Sequence, residues 1–152
     1  MTTEETPCDG RVYVYWKTEA PRAVIFGTGH LLHEAILAGA QLEKEGINCL
    51  VANVSTIKPL DEATVLELGR AAGAAVTVED HQIEGGLGGA LAEFYARTHP
   101  VPMEFVGLRN TFAESGSPKD LIAKYGLGKD AVMQAVRDVI ARKAGKGSRK
   151  KP

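Results

Sequence analysis

Short β-branched runs alternate with stretches of helical apolar spacing along this chain, and that alternation confines it to α/β architectures with a mostly parallel sheet. Five runs favour strands: Arg11–Trp16, Ala23–Phe26, Cys49–Val54, Ala75–Val78 and Met103–Leu108. Cys49–Val54 is almost continuously apolar, as expected of a strand buried on both faces. Between the runs, Leu32, Ala35, Ile36, Gly39 and Leu42 recur at helical spacing over His30–Glu45, with Gly46 as a C-cap. Asp61 is placed as the N-cap of a helix through Ala72, closed by Gly73. A third helix carries Leu91, Phe94 and Tyr95. Ser117-Pro118-Lys119-Asp120 reads as a capping box with proline at the first helical position. A last helix, Asp130–Ala141, buries Val132, Val136, Val139 and Ile140.

The break between the first two runs, Thr18–Pro21, is too short for a parallel crossover, so the first strand is antiparallel or not a neighbour of the second. We expect a three-layer α/β/α sandwich around a five-stranded mixed sheet, with the first strand as an antiparallel edge strand and helices on both faces. The 152 residues suit one domain, expected over residues 10–143, between a linker or disordered N-terminus (1–9) and a basic flexible tail (144–152).

Composition excludes several classes of function. Apolar residues make up 44% and charged residues 24%, so disorder is not expected. No stretch approaches the roughly 20 consecutive apolar residues of a membrane span, and Met1–Gly10 lacks the pattern of a secretory signal. Cys8 and Cys49 make no disulfide framework and read as free thiols in a reducing, cytoplasmic compartment. Six of the 18 basic residues lie in 142–152, leaving 12 against 19 acidic ones, so the body carries −7 and should repel nucleic acid.

In open α/β sheets ligands bind beyond the C-terminal strand ends. Those ends hold Gly27-Thr28-Gly29-His30, Ser55-Thr56, Glu79-Asp80-His81 and Arg109-Asn110. Backbone N–H groups at the Gly27–Gly29 turn could hold an anion, yet Leu32 stands where a dinucleotide fingerprint needs its third glycine. A tight strand-to-helix turn is the simpler reading. The run Gly85-Gly86-Leu87-Gly88-Gly89 lacks the lysine and Ser/Thr of a P-loop, so close packing of a helix start against another backbone suits it better. Glu79, Asp80 and His81 could form an acid/base pair or a weak metal site, but no second histidine stands at zinc-ligand spacing. A hydrogen-bonding hub at a subunit contact is the stronger reading. His30 and His33 read as a helix-surface pair with Glu34 pointing elsewhere, and Ser115 as part of a turn. No catalytic, cofactor-binding or metal residue is assigned. The candidate interface or ligand edge is Gly27, Gly29, His30, Glu79, Asp80, His81, Gly85 and Gly86.

Several segments together resemble transketolase C-terminal domains, in the same order and at similar spacing. They are Thr56-Ile57-Lys58-Pro59-Leu60-Asp61, Thr77-Val78-Glu79-Asp80-His81 and Glu84-Gly85-Gly86-Leu87-Gly88-Gly89-Ala90. Gly27-Thr28-Gly29 with Leu32-His33-Glu34-Ala35 resembles the first turn and helix of that family. Phe112-Ala113-Glu114-Ser115-Gly116 followed by Tyr125-Gly126 resembles its closing segment. The likeness covers about residues 10–143.

The resemblance implies a five-stranded mixed sheet whose first strand is antiparallel. It also implies membership of an enzyme that moves a two-carbon ketol unit between sugar phosphates with thiamine diphosphate and a divalent metal. In that family the cofactor belongs to two preceding domains, one carrying a Gly-Asp-Gly motif, and no Gly-Asp-Gly occurs in this sequence. The expected partners are therefore the thiamine-binding domains or subunit, with homo-oligomer formation, and this chain alone should bind no cofactor. Deoxyxylulose-phosphate synthases, 2-oxo-acid dehydrogenase beta subunits and ketoacid:ferredoxin oxidoreductases share the domain. Lys58-Pro59-Leu60-Asp61 with Glu79-Asp80-His81 favours transketolase. The reading from another class is a free-standing small-molecule-binding or regulatory domain that uses the edge around Gly29 and His81.

Overall fold

The computed structural model describes residues 9–145. In chain order the elements are β1 (Val12–Lys17), β2 (Ala23–Gly27), a 3-10 turn (Gly29–Leu31), α1 (Leu32–Lys44), β3 (Cys49–Val54) and α2 (Glu62–Ala72). They continue with β4 (Ala75–Gln82), α3 (Leu87–Thr98), β5 (Met103–Leu108), α4 (Pro118–Tyr125) and α5 (Lys129–Lys143). Cys8, the first eight residues and the basic residues Lys146, Arg149, Lys150 and Lys151 lie outside the described part.

The strands form one sheet in the order β1-β3-β2-β4-β5. β3, β2, β4 and β5 run parallel, and β1 lies antiparallel along β3 at one edge, Val12 opposite Val54 and Lys17 opposite Leu50. The short link between β1 and β2 thus joins strands that are not neighbours. The expected five-stranded mixed sheet is present.

Strand alternation divides the core into two layers. Ile25, Val51, Val76 and Val78 pack with Leu32, Ala35 and Leu42 of α1 and with Val132, Val136 and Val139 of α5. Val24, Phe26, Leu50 and Ala52 pack on the opposite face with Val65 and Leu68 of α2 and with Leu91, Phe94 and Tyr95 of α3. Each large side chain wholly removed from water here contributes about 1.5–3 kcal/mol.

Two helix joints are bound by single polar groups. Asp61 caps α2 by accepting the Thr64 N–H at 3.2 Å, as expected, and its other oxygen accepts the Val12 N–H at 3.0 Å, tying α2 to the start of the edge strand. Burial pushes the Asp61 carboxyl up, but these hydrogen bonds outweigh it and hold the group below the usual aspartate value. Ser117 accepts the Asp120 N–H to cap α4, with Pro118 in the first turn.

Candidate functional site

α1 returns to the sheet on one side of β2, whereas α3 leads from β4 outward to β5 on the other, so the connections reverse between β2 and β4. A crevice beyond the strand ends forms where such a reversal occurs. His30, in the turn after β2, and Asp80, near the end of β4, meet across it, with His30 Nδ1 3.0 Å from Asp80 Oδ2 and both side chains about half exposed. Gly29 adopts φ +62°, and a Cβ there would lie 3.4 Å from Asp80 Oδ1. Gly27 admits the close approach of Leu32, 3.1 Å from where a Cβ would sit.

Glu79, Asp80 and His81 do not form one hub. β4 runs on through Gln82, beyond the expected end at Val78, and adjacent strand residues point to opposite faces. Glu79 turns inward and is 1% exposed. Its Oε2 accepts the Leu87 N–H at 2.7 Å and its Oε1 the Gly88 N–H at 2.8 Å, so the carboxylate satisfies two N–H groups that the first turn of α3 leaves open. Burial pushes the Glu79 carboxyl above the usual glutamate value, and the N–H groups of Gly88 and Leu87 offset this only in part. Asp80 turns to His30. His81 is exposed, its Nδ1 3.2 Å from the Gln82 carbonyl.

The glycine run has the same cause. A Cβ on Gly86 would collide with Glu79 Oε2 and lie 2.7 Å from the Gln82 carbonyl, and one on Gly88 would lie 2.8 Å from the Phe105 ring. Gly85 meets nothing within 4 Å, though its φ of +83° favours glycine. Gly89 is not a close-approach position: the nearest atom to a Cβ would be 3.7 Å away.

The structure adds contacts for other groups. His30 stands in the turn before α1 and meets Asp80 rather than pairing with His33. Glu34 reaches the start of α5 and accepts the Lys129 N–H at 2.7 Å, across 95 positions of sequence. Tyr95, carried by the third helix, is buried and donates its hydroxyl to the Val65 carbonyl at 2.7 Å, and so joins α3 to α2. Nothing local in the sequence marks either bond. Arg142 and Lys143 belong to α5 and donate to Met103 O and Ala72 O at 2.6 and 2.8 Å, so they fasten the fold. Among the described residues no three His, Cys, Asp or Glu side chains are grouped to hold a metal, and no helix is long and apolar enough to cross a membrane. Cys49 is buried, which pushes its thiol up to about 11.

Fold and edge together define an α/β sandwich domain whose charged groups at the strand ends mostly fasten helices and turns to the sheet. Residues 13–132 match the model of the transketolase C-terminal domain. A 6-deoxy-6-sulfo-D-fructose transketolase subunit of Clostridium sp. (strain MSTE9) is 40% identical over 125 residues, covering 82% of this chain and 39% of that protein. Human transketolase is 37% identical over 134 residues, 88% of this chain and 21% of that protein. Among solved structures, a split-gene transketolase described as an inactive beta4 tetramer superposes with a TM-score of 0.82 at 36% identity, over 88% of this chain and 43% of that one. The chain belongs to the transketolase C-terminal domain family. It spans about a fifth to two fifths of the length of the curated relatives it matches.

Proposed function

We propose that this chain acts as the C-terminal domain or subunit of a cytoplasmic transketolase, supporting dimer assembly of an enzyme that transfers a two-carbon ketol unit between sugar phosphates. The observation that carries this reading is the family match over residues 13–132, set against relatives of which the matched segment covers only 39% and 21%. The complete enzyme would use thiamine diphosphate and a divalent metal. The residues of this chain do not fit that cofactor, because the sequence has no Gly-Asp-Gly and Glu79, the buried carboxylate of the edge, is committed to α3. No step of the reaction is therefore assigned to this chain.

Within that reading, residues 10–143 form the assembly domain. The edge around Asp80, His81 and Gly85 contacts another subunit, with Gly27, Gly29, His30, Glu79 and Gly86 shaping it from behind. A second reading, a regulatory or small-molecule site at the same edge, draws support from the His30–Asp80 pair standing where the sheet connections reverse. Light scattering of the chain mixed with the thiamine-binding domains of the same organism separates the two. Assembly predicts a stable complex that His81→Ala with Gly85→Arg weakens. A regulatory domain predicts no complex, and sugar-phosphate binding that the double variant loses.

A further inference from the structure

Among the described residues three polar or charged side chains are buried: Thr18, Thr77 and Glu79. Thr18 is paired, its hydroxyl donating to Cys49 O at 3.0 Å. The other two stand two residues apart on β4 and so share the face turned to α3. Glu79 accepts two N–H groups of α3, but the Thr77 hydroxyl, wholly buried, meets no partner among the described residues. An open hydroxyl in a packed core is costly, and it points to a state of the protein in which the group is used.

Gly88 brings the two side chains together. Glu79 Oε1 and Thr77 Oγ1 each lie 3.1 Å from where a Cβ on Gly88 would sit, so they flank the space that this glycine leaves. Oε1 is also the oxygen that accepts the Gly88 N–H at 2.8 Å, whereas Oε2 accepts the Leu87 N–H. An ionised carboxylate only accepts, and α3 then uses both of its oxygens. A neutral carboxylic acid carries one O–H donor, which in a buried site needs an acceptor. The Thr77 oxygen, with its lone pairs free, supplies one.

We infer that Glu79 and Thr77 form a proton-operated switch at the start of α3. Ionised, Glu79 caps both Leu87 and Gly88. Neutral, it keeps Leu87, releases the Gly88 N–H and donates its own proton to Thr77 Oγ1. One proton is taken from solvent, one N–H···O bond is lost and one O–H···O bond is formed. Burial pushes the Glu79 carboxyl above the usual glutamate value and so brings the neutral form within reach, against the pull of the Gly88 and Leu87 N–H groups. The charges that reach it are His81, which favours the ionised form, and Asp80, which opposes it. The first turn of α3 carries no acid, β5 turns Phe105 and Gly107 to this site, β2 sets Phe26 and Gly27 beside β4, and Glu84 in the turn before α3 is exposed. Gly86 is the N-cap of α3, with Gly85 before it, so the switch acts on the turn that shapes the edge. It is a property of this chain alone and stands whether or not that edge meets another subunit.

The test is an NMR titration of the Glu79 carboxyl carbon through the acid range, its resonance assigned by its loss in Glu79→Gln, with the amides of Leu87 and Gly88 followed in the same samples. In the wild-type chain the Gly88 amide proton should move upfield at the midpoint of Glu79 itself, and by more than that of Leu87. Thr77→Val, which removes the acceptor and keeps a β-branched side chain, should lower the Glu79 midpoint toward the ordinary glutamate value, and Thr77→Ser should leave it in place. A midpoint raised by Thr77→Val would mean that the hydroxyl donates to the carboxylate, and an unmoved one that it is satisfied elsewhere. Either result would overturn the inference, as would a wild-type Leu87 amide that responds as strongly as Gly88.

Discussion

The Glu79 carboxylate occupies the space that a side chain on Gly86 would need. Replacing Gly86 by alanine or valine should force Glu79 off the N–H groups of Leu87 and Gly88 and lower stability by roughly 1–3 kcal/mol, the scale of overpacking. Gly89, within α3 and with only ordinary contact at 3.7 Å from where a Cβ would sit, should accept alanine with a gain of about 0.5–1 kcal/mol in helix stability. Urea unfolding of both variants checks the contrast. Equal loss at the two positions would mean that the run is sensitive for some reason other than the Glu79 contact.

The same carboxylate gives a pH signature of uncommon sign for an acid. Burial raises its pKa in the folded state above 4.5, so the native chain holds a proton that the unfolded chain releases. Its contribution is full below pH 4.5 and is lost as pH rises through the folded value. The stability difference between wild type and Glu79→Gln should therefore be larger near pH 4.5 than near pH 7.5, as measured by urea unfolding at both pH values. A difference that instead grew with pH would contradict this assignment.

Asp61 should behave in the opposite way. Its pKa is lowered, so its stabilisation is complete above its unfolded value near 3.8 and fades as pH falls through the folded one. Asp61→Ala should cost about 1–2 kcal/mol at neutral pH, the usual range for a lost N-cap. It should also loosen β1, because the Val12 N–H loses its acceptor. Amide exchange at Val12 and Thr64 should rise together. A rise at Thr64 alone would uncouple the edge strand from the cap.

Tyr95 offers a test of the α2–α3 joint. Tyr95→Phe removes one buried hydrogen bond to Val65 O and should cost about 0.5–1.5 kcal/mol. Gly69→Ala places a methyl 2.5 Å from that ring and should cost more on its own than in the Tyr95→Ala background. Unfolding of the single and double variants measures the coupling. Strict additivity would show that the two residues do not share the space.

The elements most easily read from the sequence were those that solve their own problem locally. β3 is an almost continuously apolar run of strand length, and Asp61 and Ser117 sit at their caps within three residues of the N–H groups they accept. The end of β4 was not legible, because Glu79-Asp80-His81 is a polar run and polar runs suggest loops. The strand continues there since Glu79 finds buried donors in α3 and Asp80 finds His30. The Glu34 cap on α5 could not be read at all, its partners being 95 residues apart. The glycine run pointed correctly to close approach, but only the fold shows that Gly86 and Gly88 need it and Gly89 does not.

On the proposed function, this chain completes a thiamine enzyme rather than doing chemistry itself. Ketol transfer between sugar phosphates should be measured with thiamine diphosphate and a divalent metal, using the chain alone, the thiamine-binding domains of the same organism alone, and the two together. Activity should be restored or strongly raised only in the mixture. Turnover by the chain alone, or thiamine-domain activity that its addition leaves unchanged, would contradict it.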